Sequence, residues 1–285
     1  MSVTERVDLG GSVGRTSYIG VGATILLLAL SALAATGGYW KVLVIAWVAF
    51  LAMAGAAVLG ARAETDSPYR LVWGYGIASG AMIASAAMFL VPQAIGLDPR
   101  LGGAGIAAGI VVGFGAHTIG HRLGHREFPM DDTAVQITAH ALSAGAIIGI
   151  IYGALPGLGL LLGLSIVSHK GPAGYAAARR LRRMGKPPSV LLLPAAGVGL
   201  TAVPAAMLAV PLAGTVNAVV FGFAAGVFLH VAMDFLPSCE VGGEVDEVAS
   251  VSDADHALLD RLRVHAVAST ALGGLAVFLA WVAIV

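Results

Sequence analysis

Apolar runs of about 20 residues, the length a helix needs to cross a bilayer, follow one another along nearly the whole chain. They fall at roughly 17–37, 40–62, 71–96, 102–121, 133–154, 156–180, 188–212, 213–237 and 262–285. The connections between them are short, so little chain remains for a soluble module. Only 11% of the 285 residues are charged and the mean hydropathy is +0.89, whereas a soluble domain carries roughly 25% charged residues. The pattern predicts an all-α polytopic membrane protein of about nine transmembrane helices. The division between the seventh and eighth runs rests on Pro211, Gly214 and Asn217, and an eight-span count is the alternative. The first run lacks a leader-type cleavage site and reads as a retained anchor.

The formal net charge is zero, which leaves no field to gather nucleic acid. Cys239 is the single cysteine, so no internal disulfide is expected. Orientation follows from the basic residues, which favour the cytoplasmic side. With the N-terminus inside and nine spans, Lys41 and Arg100 alone of the 16 Lys and Arg residues fall outside, and Lys170 falls within a span. This places the C-terminus outside and predicts a plasma-membrane location. The run Arg179-Arg180-Leu181-Arg182-Arg183 is a cytoplasmic flank that could also meet anionic lipid headgroups. The long loop near 238–261 then faces the cytoplasm with Glu240, Glu244, Asp246, Glu247, Asp253, Asp255 and Asp260, beside Cys239 and His256. A solvated linker is the simplest reading of such composition; a weak acceptor for an emerging cation is the other.

Ionisable groups at bilayer depth are costly and mark substrate or ion paths by default. His140, in the fifth run, opens His140-Ala141-Leu142-Ser143-Ala144-Gly145; His169, in the sixth, opens His169-Lys170-Gly171-Pro172-Ala173-Gly174. Pro172 has no N–H for the Ser168 carbonyl, so the helix is expected to kink beside His169. Ser143 lies one turn from His140 on the same face. Met82, in the third run, offers a soft thioether, though methionine in an apolar helix also simply fills space. His230 and Asp234, four apart in the eighth run, read as a gate pair or as mutual satisfaction. In the fourth run Gly105, Gly109 and Gly113 are followed at the same spacing by His117, His121 and His125. Small residues so spaced let membrane helices pack closely, within the bundle or across a homodimer interface. The histidines form either a cytoplasmic relay for metal or protons, or a solvated ridge alongside Arg122 and Arg126.

These motifs resemble those of the ZIP family of metal-ion transporters. That family carries His-Asn-x-x-Asp-Gly on one core helix, matched here by His140 and Gly145. It carries His-Glu-x-Pro-Glu-Gly on the next, matched by His169, Pro172 and Gly174. Gly80-Ala81-Met82-Ile83-Ala84 with Pro92-Gln93-Ala94 is similar to a third segment, and Phe228-Leu229-His230-Val231-Ala232 with Leu236-Pro237 to a fourth. The resemblance covers roughly 40–285 in the family's order of eight helices. It implies a transporter domain at 38–285, with 1–37 as an N-terminal segment and additional helix. The family's Asn, Asp and two Glu read Ala141, Ala144, Lys170 and Ala173 here. A paired-metal site would lack its oxygen ligands, leaving a reduced site of Met82, His140 and His169.

The expected function is therefore passage of a divalent transition-metal cation, zinc first, toward the cytoplasm. Zinc here is substrate. No phosphate-binding glycine loop followed by Lys-Ser/Thr occurs, so no nucleotide is expected. A membrane-embedded metallohydrolase using His140, His169 and His230, with Asp234 as base, is the reading from another class. A non-conducting relic is the third. Lys170 bears on all three: it points away, is neutral through burial, or replaces a second metal as a built-in cation paired with Asp234.

Overall fold

The computed structural model describes residues 10–63, 67–124, 132–157, 159–208, 214–237, 239, 245 and 256–283. Helices account for the regular structure, with no strand among these residues. In chain order they are α1 (Gly10–Thr36), α2 (Trp40–Arg62), α3 (Pro68–Ser85), α4 (Val91–Leu97), α5 (Pro99–Gly124), α6 (Asp132–Ala154), α7 (Leu160–Val167), α8 (Lys170–Arg183), α9 (Leu192–Leu208), α10 (Gly214–Asp234) and α11 (His256–Val282).

Seven helical stretches among the described residues are long and apolar enough to cross a membrane: Tyr18–Thr36, Trp40–Arg62, Pro68–Leu97, Ile137–Ala154, Pro188–Leu208, Gly214–Asp234 and Ala257–Val282. These are compatible with an integral membrane protein. Two of the expected runs stand apart. The described apolar stretch of α5 is Pro99–Gly115, and most side chains of the helix beyond it lie outside the described residues. The sixth run is not one helix: α7 ends at Val167, Ser168 and His169 form a turn, and α8 starts at Lys170.

Prolines set both irregularities in the middle of the chain. Pro172 cannot donate to the Ser168 carbonyl, and the helix breaks there as expected. Pro92 likewise has no N–H for Met88, and a π-helical turn, Ala86–Leu90, joins α3 to α4. That turn is absent from the sequence reading, which treats 71–96 as one plain helix. Asp98 then starts α5, its carboxylate accepting from the backbone N–H groups of Arg100 and Leu101 at 2.9 Å each. With Pro99 at the first helical position, this is a well-formed helix start.

The helices sort into two bundles. In the first, α6 packs along α9 and α2 along α8, with α1 laid against α9. In the second, α5 packs along α10 and α3 along α11, with α4 against both α5 and α10. Apolar side chains gain little by leaving lipid for another helix, so small residues that admit backbone-to-backbone approach decide which helices pair. A Cβ added at Gly60 of α2 would lie 2.5 Å from the Tyr175 carbonyl oxygen of α8, and one at Gly174 of α8 2.5 Å from that of Met53. On the α5–α10 seam, one at Gly105 would lie 2.6 Å from the Val219 carbonyl oxygen. Gly109 stands against Phe223 and Gly226, and Gly113 against the ring of His230. This stripe is therefore spent inside the subunit. Its partners rise in number as the glycines do, so α5 and α10 run parallel. Gly145 and Gly80 make the equivalent approaches to α9 and α11.

Polar groups secure the ends. Arg179, 7% exposed, donates to the Ala63 carbonyl, and Arg182 donates to that of Ala61. Both cap the C-terminus of α2, where cations complement the helix dipole and the open carbonyls. The basic run read as a flank thus also ties α8 to α2. The Tyr152 hydroxyl donates to the Gly159 carbonyl at 2.7 Å and accepts from the Gly163 N–H at 2.8 Å, fixing the chain where α7 begins.

Candidate functional site

The helix break on the first bundle delivers a side chain to the second. His169 sits at the turn with φ −72° and ψ −12°, and its carbonyl still accepts from the Ala173 N–H at 3.0 Å. Its ring is buried, meeting the edges of Phe228 (centroids 6.0 Å apart) and Phe235 (6.4 Å) at the end of the second bundle. From α6, His140 brings its Nε2 to 3.1 Å from the His169 Nε2, with the rings inclined at 52°. The two histidines singled out from the sequence therefore form a pair. They lie where the bundles meet, since α3 against α7 and α8, and α6 against α5 and α10, are the main contacts across that boundary.

The spacing permits two chemistries. As neutral rings, one Nε2–H donates to the lone pair of the other, a normal N–H···N distance. With both Nε2 lone pairs turned inward, two tetrahedral ligands each about 2.0–2.1 Å from one zinc ion stand roughly 3.3 Å apart. The pair thus needs only a small adjustment to chelate. Met82 is fully buried in the same apolar cluster as Ala141, Val167 and Phe228. Where the resembling family carries Asn, Asp and its second Glu, this chain has Ala141, Ala144 and Ala173, all buried. No group of three or more His, Cys, Asp or Glu side chains among the described residues is placed to hold a metal.

Comparison with protein-family models gives no match, and comparison with curated proteins gives none. The geometry and the motif residues are what bear on function.

Lys170, directly after His169, is 1% exposed and one of the largest fully buried side chains among the described residues. Its Nζ has no hydrogen-bond partner among the described residues, and it lies within electrostatic reach of His140. It does not point away into solvent. It does not pair with Asp234 either: that carboxylate stands 3.3 Å from the His230 Nε2, with its side chain 39% exposed. The direct lysine–aspartate pair, which a depth difference of roughly 10 Å along the helices left possible, does not form. Depth says nothing about the lateral direction of either side chain.

His230 is buried against Gly113 and Phe114 of α5, one turn before Asp234. The parallel seam carries His117 four residues beyond Gly113 and Asp234 four beyond His230, at matching register. The side chains of His117 and His121, all of His125, and Glu240, Glu244, Asp246, Glu247, Asp253 and Asp255 lie outside the described residues. Ser143 is exposed and donates to the His140 carbonyl at 3.0 Å, so its hydroxyl turns back onto its own helix rather than toward the pair.

One polar cluster has no precedent in the sequence reading. The Trp73 Nε1–H of α3 donates to the His265 Nδ1 of α11 at 3.2 Å, and Tyr69 meets the same imidazole edge-on. No spacing rule links residues 73 and 265. The available signal was only that Gly76 and Gly80, like Gly273, are small residues able to join two helices.

Proposed function

We propose that the protein is a ZIP-like transporter passing a divalent transition-metal cation, zinc first, toward the cytoplasm. Met82, His140 and His169 form its reduced binding site, and His230 with Asp234 forms a gate further along. In this reading the chain crosses the plasma membrane nine times, N-terminus inside and C-terminus outside. Residues 38–285 form the transport domain, and α1, laid on α9, is the additional helix.

The observation that carries the reading is the 3.1 Å approach of His140 and His169 at a broken helix between two bundles. Transporters bind substrate at such discontinuous helices, and alternate access by moving one bundle against another around the site. The glycine seams support that division. Every close approach named above lies within a bundle, whereas aromatic edges meet His169 across the boundary. Neutral imidazole suits zinc and its neighbours in the first transition row.

The hydrolase reading needs a third histidine at the pair, and no group of three or more His, Cys, Asp or Glu side chains among the described residues is placed to hold a metal. The relic reading draws on Lys170, whose charge opposes a cation at His169.

Metal analysis of the purified protein separates these. After equilibration with zinc and removal of excess, the wild type should retain the metal, and His140→Ala and His169→Ala should each lose most of it. Retention unchanged by both substitutions, or none in the wild type, would falsify the site. Lipid cleavage by the zinc-loaded protein would move the hydrolase ahead.

A further inference from the structure

Among the described residues no buried side chain compensates a charge on Lys170. Their buried polar and charged residues are Ser79, Ser85, Thr138, His169, Lys170, Arg179, Asn217, His230 and Ser269, with no carboxylate among them. Arg179 reaches the end of α2, and Asp234 is committed to His230. The Lys170 Nζ is therefore fully buried and without a hydrogen-bond partner among the described residues. An unpaired ammonium in a low-dielectric interior is strongly disfavoured, and it must find an anion, donate to water, or lose its proton.

The metal reading sharpens the imbalance. Two neutral imidazoles and a thioether contribute no negative charge, so a divalent ion beside Lys170 would bring the cluster to three positive charges. Where the resembling family has acids, Ala144 and Ala173 supply only methyl groups. The counter-charge would then have to come from a separate, small species. Imidazole N–H groups and an ammonium are donors suited to it.

We propose that Lys170, with His140 and His169, holds a small inorganic anion of the halide class, and that the metal occupies the site as an anion-compensated complex. The anion accepts from the ammonium, and beside a metal it takes an open coordination position that a carboxylate would otherwise fill. The second half rests on the transporter reading; the first half does not.

The test uses the full-length protein in a neutral detergent. With a chelator present, thermal stability is followed as sodium gluconate is exchanged for sodium chloride at constant ionic strength. Wild type should show a saturable upward shift in melting temperature with chloride, gluconate being too large for the site. Lys170→Met and Lys170→Gln should abolish the saturable shift, and should melt above the wild type in gluconate because the uncompensated charge is gone. Equal stability in the two salts, or a chloride shift that survives in either folded variant, overturns the anion site. If neither variant folds, the wild-type titration alone decides by the presence or absence of saturation.

A zinc arm separates the two proposals. Zinc retained by the wild type should rise several-fold in chloride over gluconate, and that dependence should vanish in Lys170→Gln. Zinc bound equally in both salts defeats the anion inference and leaves the metal site standing. A chloride shift with no zinc in either salt defeats the transporter reading and leaves the anion site standing.

Discussion

Gly109→Leu should be strongly destabilising. A Cβ at this position meets the Phe223 carbonyl oxygen, and the Gly226 Cα is close behind it. Those are backbone atoms of a helix held on its other sides, so they cannot step aside as a flexible side chain can. Overpacking a well-packed interior costs about 1–3 kcal/mol, and a leucine driven into a helix backbone belongs at or beyond the upper end. The melting temperature in detergent should drop by many degrees. Gly103→Leu on the same helix is the control, since a Cβ there has nothing within 4 Å. Because the seam lies within the subunit, the variant that folds should keep the wild-type oligomeric state. Equal melting of the Gly109 and Gly103 variants would remove the packing role.

Lys170→Glu should raise zinc affinity steeply. The substitution exchanges a repelling charge for an attracting one beside His169, and it supplies the acid that the resemblance places at this position. At an effective dielectric of about 20, unit charges about 5 Å apart interact by roughly 3 kcal/mol, and a divalent ion doubles this. After the desolvation that opposes it, a gain of tenfold or more, about 1.4 kcal/mol or above, is expected in equilibrium zinc binding. Adding His169→Ala should reverse the gain. Binding that ignores both substitutions would mean that zinc sits elsewhere, and the relic reading would lead.

The sequence disclosed most where polarity interrupts a uniform solvent. Helix α2, expected over 40–62, runs Trp40–Arg62, because a bilayer-length apolar run between polar ends leaves little freedom. His140 and His169 were legible for the same reason: an ionisable group within such a run needs an explanation. The Gly105, Gly109 and Gly113 stripe was legible as a packing face, since its spacing is the helix repeat. Its partner was not, because helices apolar on every side present no face that names a neighbour. The π turn before Val91 and the pairing of Trp73 with His265 depend on tertiary context that no local pattern carries. Lys170 was legible as the awkward residue, but the direct pair with Asp234 that the axial coordinate left possible does not form, since lateral direction is not written in the sequence.

Zinc flux into proteoliposomes tests the transporter reading most directly. Vesicles carrying the wild-type protein and an internal zinc indicator should show saturable uptake, lost in His140→Ala and in His169→Ala when each is reconstituted at equal density. Their lipids should remain uncleaved over the same period. Uptake no faster than in protein-free vesicles, or uptake unchanged by removal of either histidine, would contradict transport through the His140–His169 pair.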